Sequence, residues 1–460
     1  MNVDLQLKTG LSMEFDEAVI AIGGALSDPG NVRQIATGLH NQEPLSGFST
    51  WQPSSYTIGH PGIAAFLFRL SWSDDHWLTS AHAHVEAAVA VLPKESQIGI
   101  SSGPGAVLAA LTVAASHPRR DLYPLLRNRL ADWTSEHHLS SISVLSGKPV
   151  SWSHYDVFSG PTALTRVLIS ILHALKPDSR ARAENAIRAC LDYLVQLTQL
   201  VDAHGSLVPG WWVDYEQQQT DDDRNSYPHG DLNAGLAHGI AGPLALLCLS
   251  KEAGFEVAGQ IEAIRSVSDW LHNQRRINVD GAYWPCRVSW EEQLGRVVVE
   301  HPLTRDAWCY GTPGVAWSLA LAGRALGTPS LTDIALNALR EVLLRDPSTW
   351  RTDGPSFCHG ASGILQICRR AATMFSDQGL ESLTFKSAKA LLAQQDDDAP
   401  FRFRHVTPAT HGGWSKANRF DYLDSPGILI GGAGVGAMLH TLTHQTKEGT
   451  GDWDSAFLLS

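Results

Sequence analysis

Apolar positions along this chain gather into two kinds of run. In the first, a short glycine turn opens a stretch that is apolar almost all round. It occurs at "GHPGIAAFLFRL" (59–70), "SGPGAVLAALTVAA" (102–115), "SGPTALTRVLISIL" (159–172) and "HGIAGPLALLCLS" (238–250). It returns at "YGTPGVAWSLALAG" (310–323), "HGASGILQICRR" (359–370) and "GGAGVGAMLHTL" (431–442). The last small residue of each turn is Gly62, Gly105, Ala163, Gly242, Gly314, Gly363 or Gly434. Intervals run from 43 residues (Gly62 to Gly105) to 79 (Ala163 to Gly242), room for two helices and variable loops. The second kind lies between these runs and is amphipathic. "SLTDIALNALREVLLRD" (330–346) sets Leu331, Ala335, Ala338 and Val342 on one stripe, with Ser330 as the expected N-cap; "AGQIEAIRSVSDWLHNQ" (258–274) reads the same way.

A helix without a polar face has to be buried, and an amphipathic helix can cover it. The alternation therefore predicts an all-α fold, an α/α toroid with seven inner and seven outer helices, spanning 1–460 as one domain. Such a ring closes on itself, which accounts for the absence of polar capping repeats. Glycine is expected in the turns because inner helix N-termini converge there and need close approach and unusual φ values. Converging N-termini also favour negative charge. Polar residues in the turns then face a shared central cavity, and that is where a site belongs.

Two stretches break the pattern. Residues 202–230 and 278–301 are rich in Trp, Tyr and Val between turn residues. They predict small β-rich, hairpin-like insertions forming an accessory subdomain beside the fourth and fifth repeats. The final "QTKEGTGDWDSAFLLS" reads as a loosely attached tail.

Composition narrows the partners. Of 460 residues 43% are hydrophobic and 18% charged, suiting a closed, compact body. The net charge of −12, with no Lys/Arg cluster, argues against nucleic acid. The N-terminus lacks the basic-then-apolar pattern of a signal peptide, and no uncharged apolar run reaches membrane-spanning length. Six scattered cysteines form no disulfide framework, so a cytoplasmic location is expected, where cysteines serve as packing, metal ligands or nucleophiles.

Two of those cysteines stand in the turns. "RDAWCYGTPG" (305–314) offers Cys309 between two aromatics, and "CHGASG" (358–363) offers Cys358 and His359. Two cysteines and a histidine are the ligand set of one class of catalytic zinc, which keeps its fourth position open. Adjacent Cys358 and His359 can face one point from a turn, though not from within a helix. Other polar residues at the turns are His238, Asp156 in "YDVFSG", and Arg305, four residues before Cys309. Each has a bland alternative: a buried packing cysteine, a core histidine for His238, an N-cap for Asp156, a surface pair for Arg305 and Asp306, and core packing for Tyr310, Trp308 and Trp317. Cys190, Cys248 and Cys368 lie on apolar helix faces and read as packing; Cys286, in an insertion, stays unassigned. The register of Cys309 and Cys358 favours a shared site.

With these residues in view, the chain resembles the LanC-type lanthionine synthetases, the cyclases of lantibiotic biosynthesis. The resemblance is carried by the seven turns in order and by "YDVFSG", "GLAHGIAGPLALL", "RDAWCYGTPG" and "CHGASG". Ala163 is the one departure, in the third repeat. The resemblance implies a stand-alone enzyme with one Zn2+ per chain, held by Cys309, Cys358 and His359. It implies proton-handling roles for Asp156 and His238, with Arg305 and Tyr310 lining the site. The implied reaction adds a peptide cysteine thiol across dehydroalanine or dehydrobutyrine, forming lanthionine or methyllanthionine. The implied partners are a dehydrated precursor peptide, a separate dehydratase and a peptide transporter, with membrane association only through those partners.

The residues suit that chemistry. Zinc deprotonates a bound thiol, and two thiolates with a neutral imidazole leave the centre uncharged, so a further thiolate keeps its electron density. Attack on the alkene gives an enolate that needs stabilisation and a proton at the α-carbon. Histidine, the side chain that titrates near neutrality, makes His238 the candidate acid. Asp156 either orients it or takes the thiol proton. Three other readings compete: addition of glutathione or another thiol to dehydrated proteins; a prenyltransferase subunit, for which the diphosphate-binding basic patch is missing; and a scaffold stapled by zinc, which would have four protein ligands.

Overall fold

The computed structural model describes residues 3–43, 47–92, 99–119, 121–145, 149–301, 304–408, 420–444 and 452–460. Each of the seven glycine turns leads into a buried helix. Residue contacts divide the chain into two units: the first runs to Leu130 and resumes over Leu343–Ser455 and Leu459–Ser460, and the second is Ala131–Val342 with Ala456–Leu458.

In the first unit the turns open the helices His60–Ser71, Pro104–Ala115, Ala361–Met374 and Gly432–Thr443. Every residue of His60–Ser71 is buried, whereas its partner Trp77–Val89 buries a stripe that includes Leu78, Ala81, Val85 and Ala88. Gln378–Leu392 covers Ala361–Met374, and Val3–Ala25 covers Gly432–Thr443. In the second unit the buried helices are Pro161–Ile171, Ala241–Glu252 and Thr312–Leu326. Pro177–Leu197 and Gln260–Asn273 cover them with stripes such as Ala183, Ile187, Leu191 and Leu194. The apolar-all-round runs are thus the inner layer, as their periodicity predicts. One cap differs: the 330s helix starts at Pro329, so Ser330 lies inside its first turn, behind a proline whose fixed φ suits the first helical position.

The glycines have a more local cause than converging N-termini. At Gly62, Gly242, Gly314 and Gly434 the turn folds back on its own backbone: a Cβ on Gly434 would lie 1.9 Å from the carbonyl oxygen of Ile428, and one on Gly314 would lie 2.3 Å from that of Trp308. The expected left-handed φ does occur at Gly311, at +85°, but close backbone approach is the more general demand. Ala163, fully buried in Pro161–Ile171, leaves the third repeat intact.

Among the described residues, strands form four two-stranded antiparallel sheets. The hairpin β1 (Leu200–Ala203) and β2 (Ser206–Pro209) begins the first insertion. Next, β3 (Asp231–Asn233) follows that insertion, and β4 (Arg276–Asn278) pairs with β5 (Gly281–Tyr283) to enter the second. Strand β6 (Arg287–Ser289) pairs with β3, joining the two insertions. Trp290 packs on Ala203 and Val208 and donates its indole N–H to the Ala203 carbonyl at 3.2 Å. The two insertions therefore share one small core. A fourth pair, β7 (His405–Pro408) with β8 (Phe420–Leu423), lies in the first unit and was not expected.

The tail is not loose. Residues 445–451 lie outside the described residues, but Trp453, Asp454, Phe457 and Leu458 are completely buried. In the first unit Trp453 packs on Phe357 and accepts the Tyr56 hydroxyl proton at its carbonyl, and Asp454 takes both Arg370 and Gln366. In the second, Phe457 packs on Trp308, and the indole N–H groups of Trp308 and Trp317 donate to the Phe457 and Leu458 carbonyls. The polar "QTKEGTGD" hides this, and the apolar run behind it is too short to show a period. Trp453→Ala should cost about 3–5 kcal/mol, read as a lowered denaturation midpoint.

Candidate metal centre and active site

Register fixes where the turn residues sit. Thr57, Ala237, Cys309, Cys358 and Leu429 each stand five residues before a turn glycine (Gly62, Gly242, Gly314, Gly363, Gly434). In the second unit Val157 donates its N–H to the Ala237 carbonyl at 3.0 Å, and Ala237 donates to the Cys309 carbonyl at 3.1 Å. In the first, Cys358 donates to Leu429 and Leu429 to Thr57, both at 2.8 Å. Backbone bonds between successive turns therefore pin the peptide units that carry both cysteines. The next position along each turn holds His238, Tyr310 and His359.

The ligand atoms of Cys309, Cys358 and His359 lie within 4.8 Å of one another. Ligands at 2.0–2.3 Å from one tetrahedral zinc stand about 3.4–3.8 Å apart, a separation that lies inside that limit. Both cysteines are buried and the His359 side chain is 20% exposed. The donor set and spacing fit a metal ion with three protein ligands, as in catalytic zinc sites. Sequence reasoning missed a neighbour, Asp353. Its buried carboxylate is 3.7 Å from His359 Nε2, and its N–H donates to the His359 carbonyl at 2.8 Å. The 3.7 Å distance is longer than a hydrogen bond; a small closing movement would set the carboxylate on one ring nitrogen and leave the other for a metal. Asp353→Asn should weaken metal affinity about 10- to 100-fold, measured by chelator competition.

His238 and Asp156 also come together. His238 Nδ1 is 2.7 Å from Asp156 Oδ2, while Asp156 Oδ1 accepts the N–H groups of Ser159 and Gly160 at 2.7 and 2.6 Å. Asp156, 3% exposed, thus braces its own turn and binds His238 as well, but it is not the expected N-cap: that position before the helix is Gly160. With Nδ1–H donated to Asp156, Nε2 is the nitrogen left for a substrate. The His238 side chain is 34% exposed, so it is no core histidine. Its ring lies 5.0 Å from that of Phe158 and 6.2 Å from that of Tyr310. Burial pushes the Tyr310 hydroxyl far above the usual phenol range, so it stays protonated. Tyr310 is half-buried, not core, whereas Trp308 and Trp317 are core. Arg305 and Asp306 are not a surface pair: Asp306 is 3% exposed, and half-buried Arg305 sits near enough to Cys286 to favour its thiolate.

The remaining cysteines separate cleanly. Burial drives Cys190 up to about 12, and Cys248 and Cys368 rise for the same reason, so all three are inert packing. Cys286 also rises to about 12, by burial and by the neighbouring Cys309 sulfur. It stands beside the site but outside the ligand cluster.

Comparison with known proteins identifies the family. The family model for "Lanthionine synthetase C-like protein" matches residues 50–458. "Nisin biosynthesis protein NisC" of Lactococcus lactis subsp. lactis is 24% identical over 349 residues, 74% of this chain and 80% of that protein. The solved structure titled "Nisin cyclase" superposes with a TM-score of 0.71 at 20% identity, covering 88% of this chain and 92% of that one. The fold is accordingly the predicted α/α toroid. Among the described residues no helix is long and apolar enough to cross a membrane. Seven glycine turns, a Cys–Cys–His cluster on two of them and a family match over most of the chain lead to one conclusion: the chain belongs to the lanthionine synthetase C-like family.

Proposed function

We propose that this protein is a zinc-dependent cyclase that joins cysteine thiols of a dehydrated precursor peptide to its dehydroalanine and dehydrobutyrine residues, forming lanthionine and methyllanthionine rings. The observation that carries the reading is the convergence of Cys309, Cys358 and His359. Those residues would hold one zinc ion per chain. Bound there, zinc supplies thiol activation, converting the substrate cysteine to a nucleophile at neutral pH.

The chain's own groups handle the rest. As the C–S bond forms at the β-carbon, the alkene π electrons move onto the adjacent carbonyl as an enolate, and the α-carbon then takes a proton. Asp156 holds His238 by Nδ1, so Nε2 can deliver that proton, and the proton lost by the thiol restores the balance. This assigns Asp156 to orientation. Arg305 and Tyr310 line the site, and the protonated Tyr310 hydroxyl offers a donor to developing negative charge.

Mass spectrometry of a dehydrated, cysteine-containing peptide tests the reading against the glutathione alternative. Ring closure leaves the peptide mass unchanged and removes an alkylatable thiol; an external transferase adds the mass of glutathione and spares the cysteine. The second outcome would overturn the proposal.

The proposal extends to a cytoplasmic enzyme served by a separate dehydratase and a transporter. Six free cysteines support a reducing compartment. The insertions are the proposed contact for the precursor's leader. Leu200 and Leu207 stand 62% and 65% exposed on one face of the β1–β2 hairpin, and Val298 is fully exposed in the second insertion. Leu207→Glu with Val298→Glu should weaken peptide binding while metal content stays normal; unchanged affinity in calorimetry would remove the idea.

A further inference from the structure

Asn233 ends β3 and is fully buried. Its Oδ1 accepts the Gly235 N–H at 3.0 Å, its main-chain carbonyl accepts the Ile240 N–H at 2.9 Å, and its Nδ2 donates to the Tyr310 hydroxyl at 3.2 Å. The first two bonds close the loop 233–240 around the side chain, with His238 near its end. The closure is tight: a Cβ on Gly239 would lie 2.5 Å from Asn233 Oδ1. Because a backbone N–H can only donate, Gly235 requires the oxygen on its side, which forces the NH2 toward Tyr310. A phenol oxygen accepting that bond must aim its own proton elsewhere.

The insertions reach the same residue. Asn233 pairs with Arg287 across β3–β6. Arg287 lies between the rings of Trp152 and Tyr227 and bonds Asp231 at 2.7 Å and Gln218 at 2.6 Å. Gln218 of the first insertion also binds Asp231 at 2.6 Å. Both insertions therefore brace the strand that ends in Asn233.

We infer that Asn233 is a positioning residue for ring closure, setting Tyr310 as a hydrogen-bond donor toward the substrate and fixing the loop that carries His238. This rests on the proposed cyclase function. Asn233→Asp keeps the shape and the acceptor for Gly235 but turns the Tyr310 partner from donor to acceptor, so the phenol proton rotates toward residue 233. Asn233→Ser keeps an acceptor for Gly235 and is too short to reach Tyr310; it serves if the aspartate variant does not fold.

The test compares wild type, the Asn233 variant, Tyr310→Phe and the double variant, with metal content and melting measured alongside. Steady-state ring closure on a dehydrated peptide should show kcat reduced about 10- to 100-fold, with KM and zinc content retained. In the Tyr310→Phe background the same Asn233 change should cost little more, because the donor it orients is gone. Equal fold losses in both backgrounds, or wild-type kcat in the single variant, would overturn the inference. A wild-type protein that closes no rings would overturn the proposed function and this inference with it, an outcome read from wild type alone.

Discussion

Cys309→Ala and Cys358→Ala should each lose the metal and ring closure together. Among the described residues each cysteine supplies one of three converging donors, and each is buried. The fold should survive, because the turns are held by backbone bonds that do not involve the sulfur: Cys358 N–H to Leu429, and Leu236 and Ala237 N–H to the Cys309 carbonyl. Zinc content should fall from one per chain to background with little change in melting. Thiol activation should disappear, since a free peptide thiol is mostly protonated at neutral pH. Cys368→Ala is the control: that sulfur is packed in the helix Ala361–Met374 and its loss should leave metal content alone. Full zinc retention by either turn variant would remove the ligand assignment.

The second large effect separates chemistry from metal binding. His238 occupies the register of His359, one residue before a turn glycine, and by position alone it looks like a fourth ligand. Its Nδ1 is instead engaged with Asp156 at 2.7 Å, and it stands outside the Cys–Cys–His cluster. His238→Asn should therefore keep zinc and bind dehydrated peptide. Rings should close about 10²–10⁴ times more slowly, the usual worth of a general acid. Asp156→Asn should fall in the same direction. That amide still caps Ser159 and Gly160 through its oxygen, but it presents NH2 to Nδ1 and so selects the wrong tautomer. Loss of zinc from His238→Asn would make it a ligand; wild-type rates would move the proton source to Tyr310 or water.

Much of this was legible in the sequence because repetition writes it seven times. The inner helices announce themselves by having no polar side, and Cys309 and Cys358 stand out because they share a register that packing alone would not choose. What stayed hidden depends on contacts between distant segments. Asp353 sits six residues before His359, with nothing in that spacing to say that the loop folds its carboxylate back on the ring. Asn233 reaches Tyr310 across 77 positions, through a loop whose closure is set by hydrogen bonds and not by periodicity. The tail was misread for a related reason. Its burial depends on partners such as Tyr56, Trp308 and Arg370, none of them near it in sequence. Even the turn glycines, correctly found, owe their place to a carbonyl in the same turn more than to neighbouring helices.

The measurement that tests the central claim most directly is a zinc titration of metal-stripped protein, with ring closure followed as loss of alkylatable thiol from a dehydrated peptide. The account predicts no thiol loss without metal, a rise that tracks added zinc, and saturation at one equivalent per chain. Thiol loss in the metal-stripped protein, or intact thiols beside fully bound zinc, would contradict it.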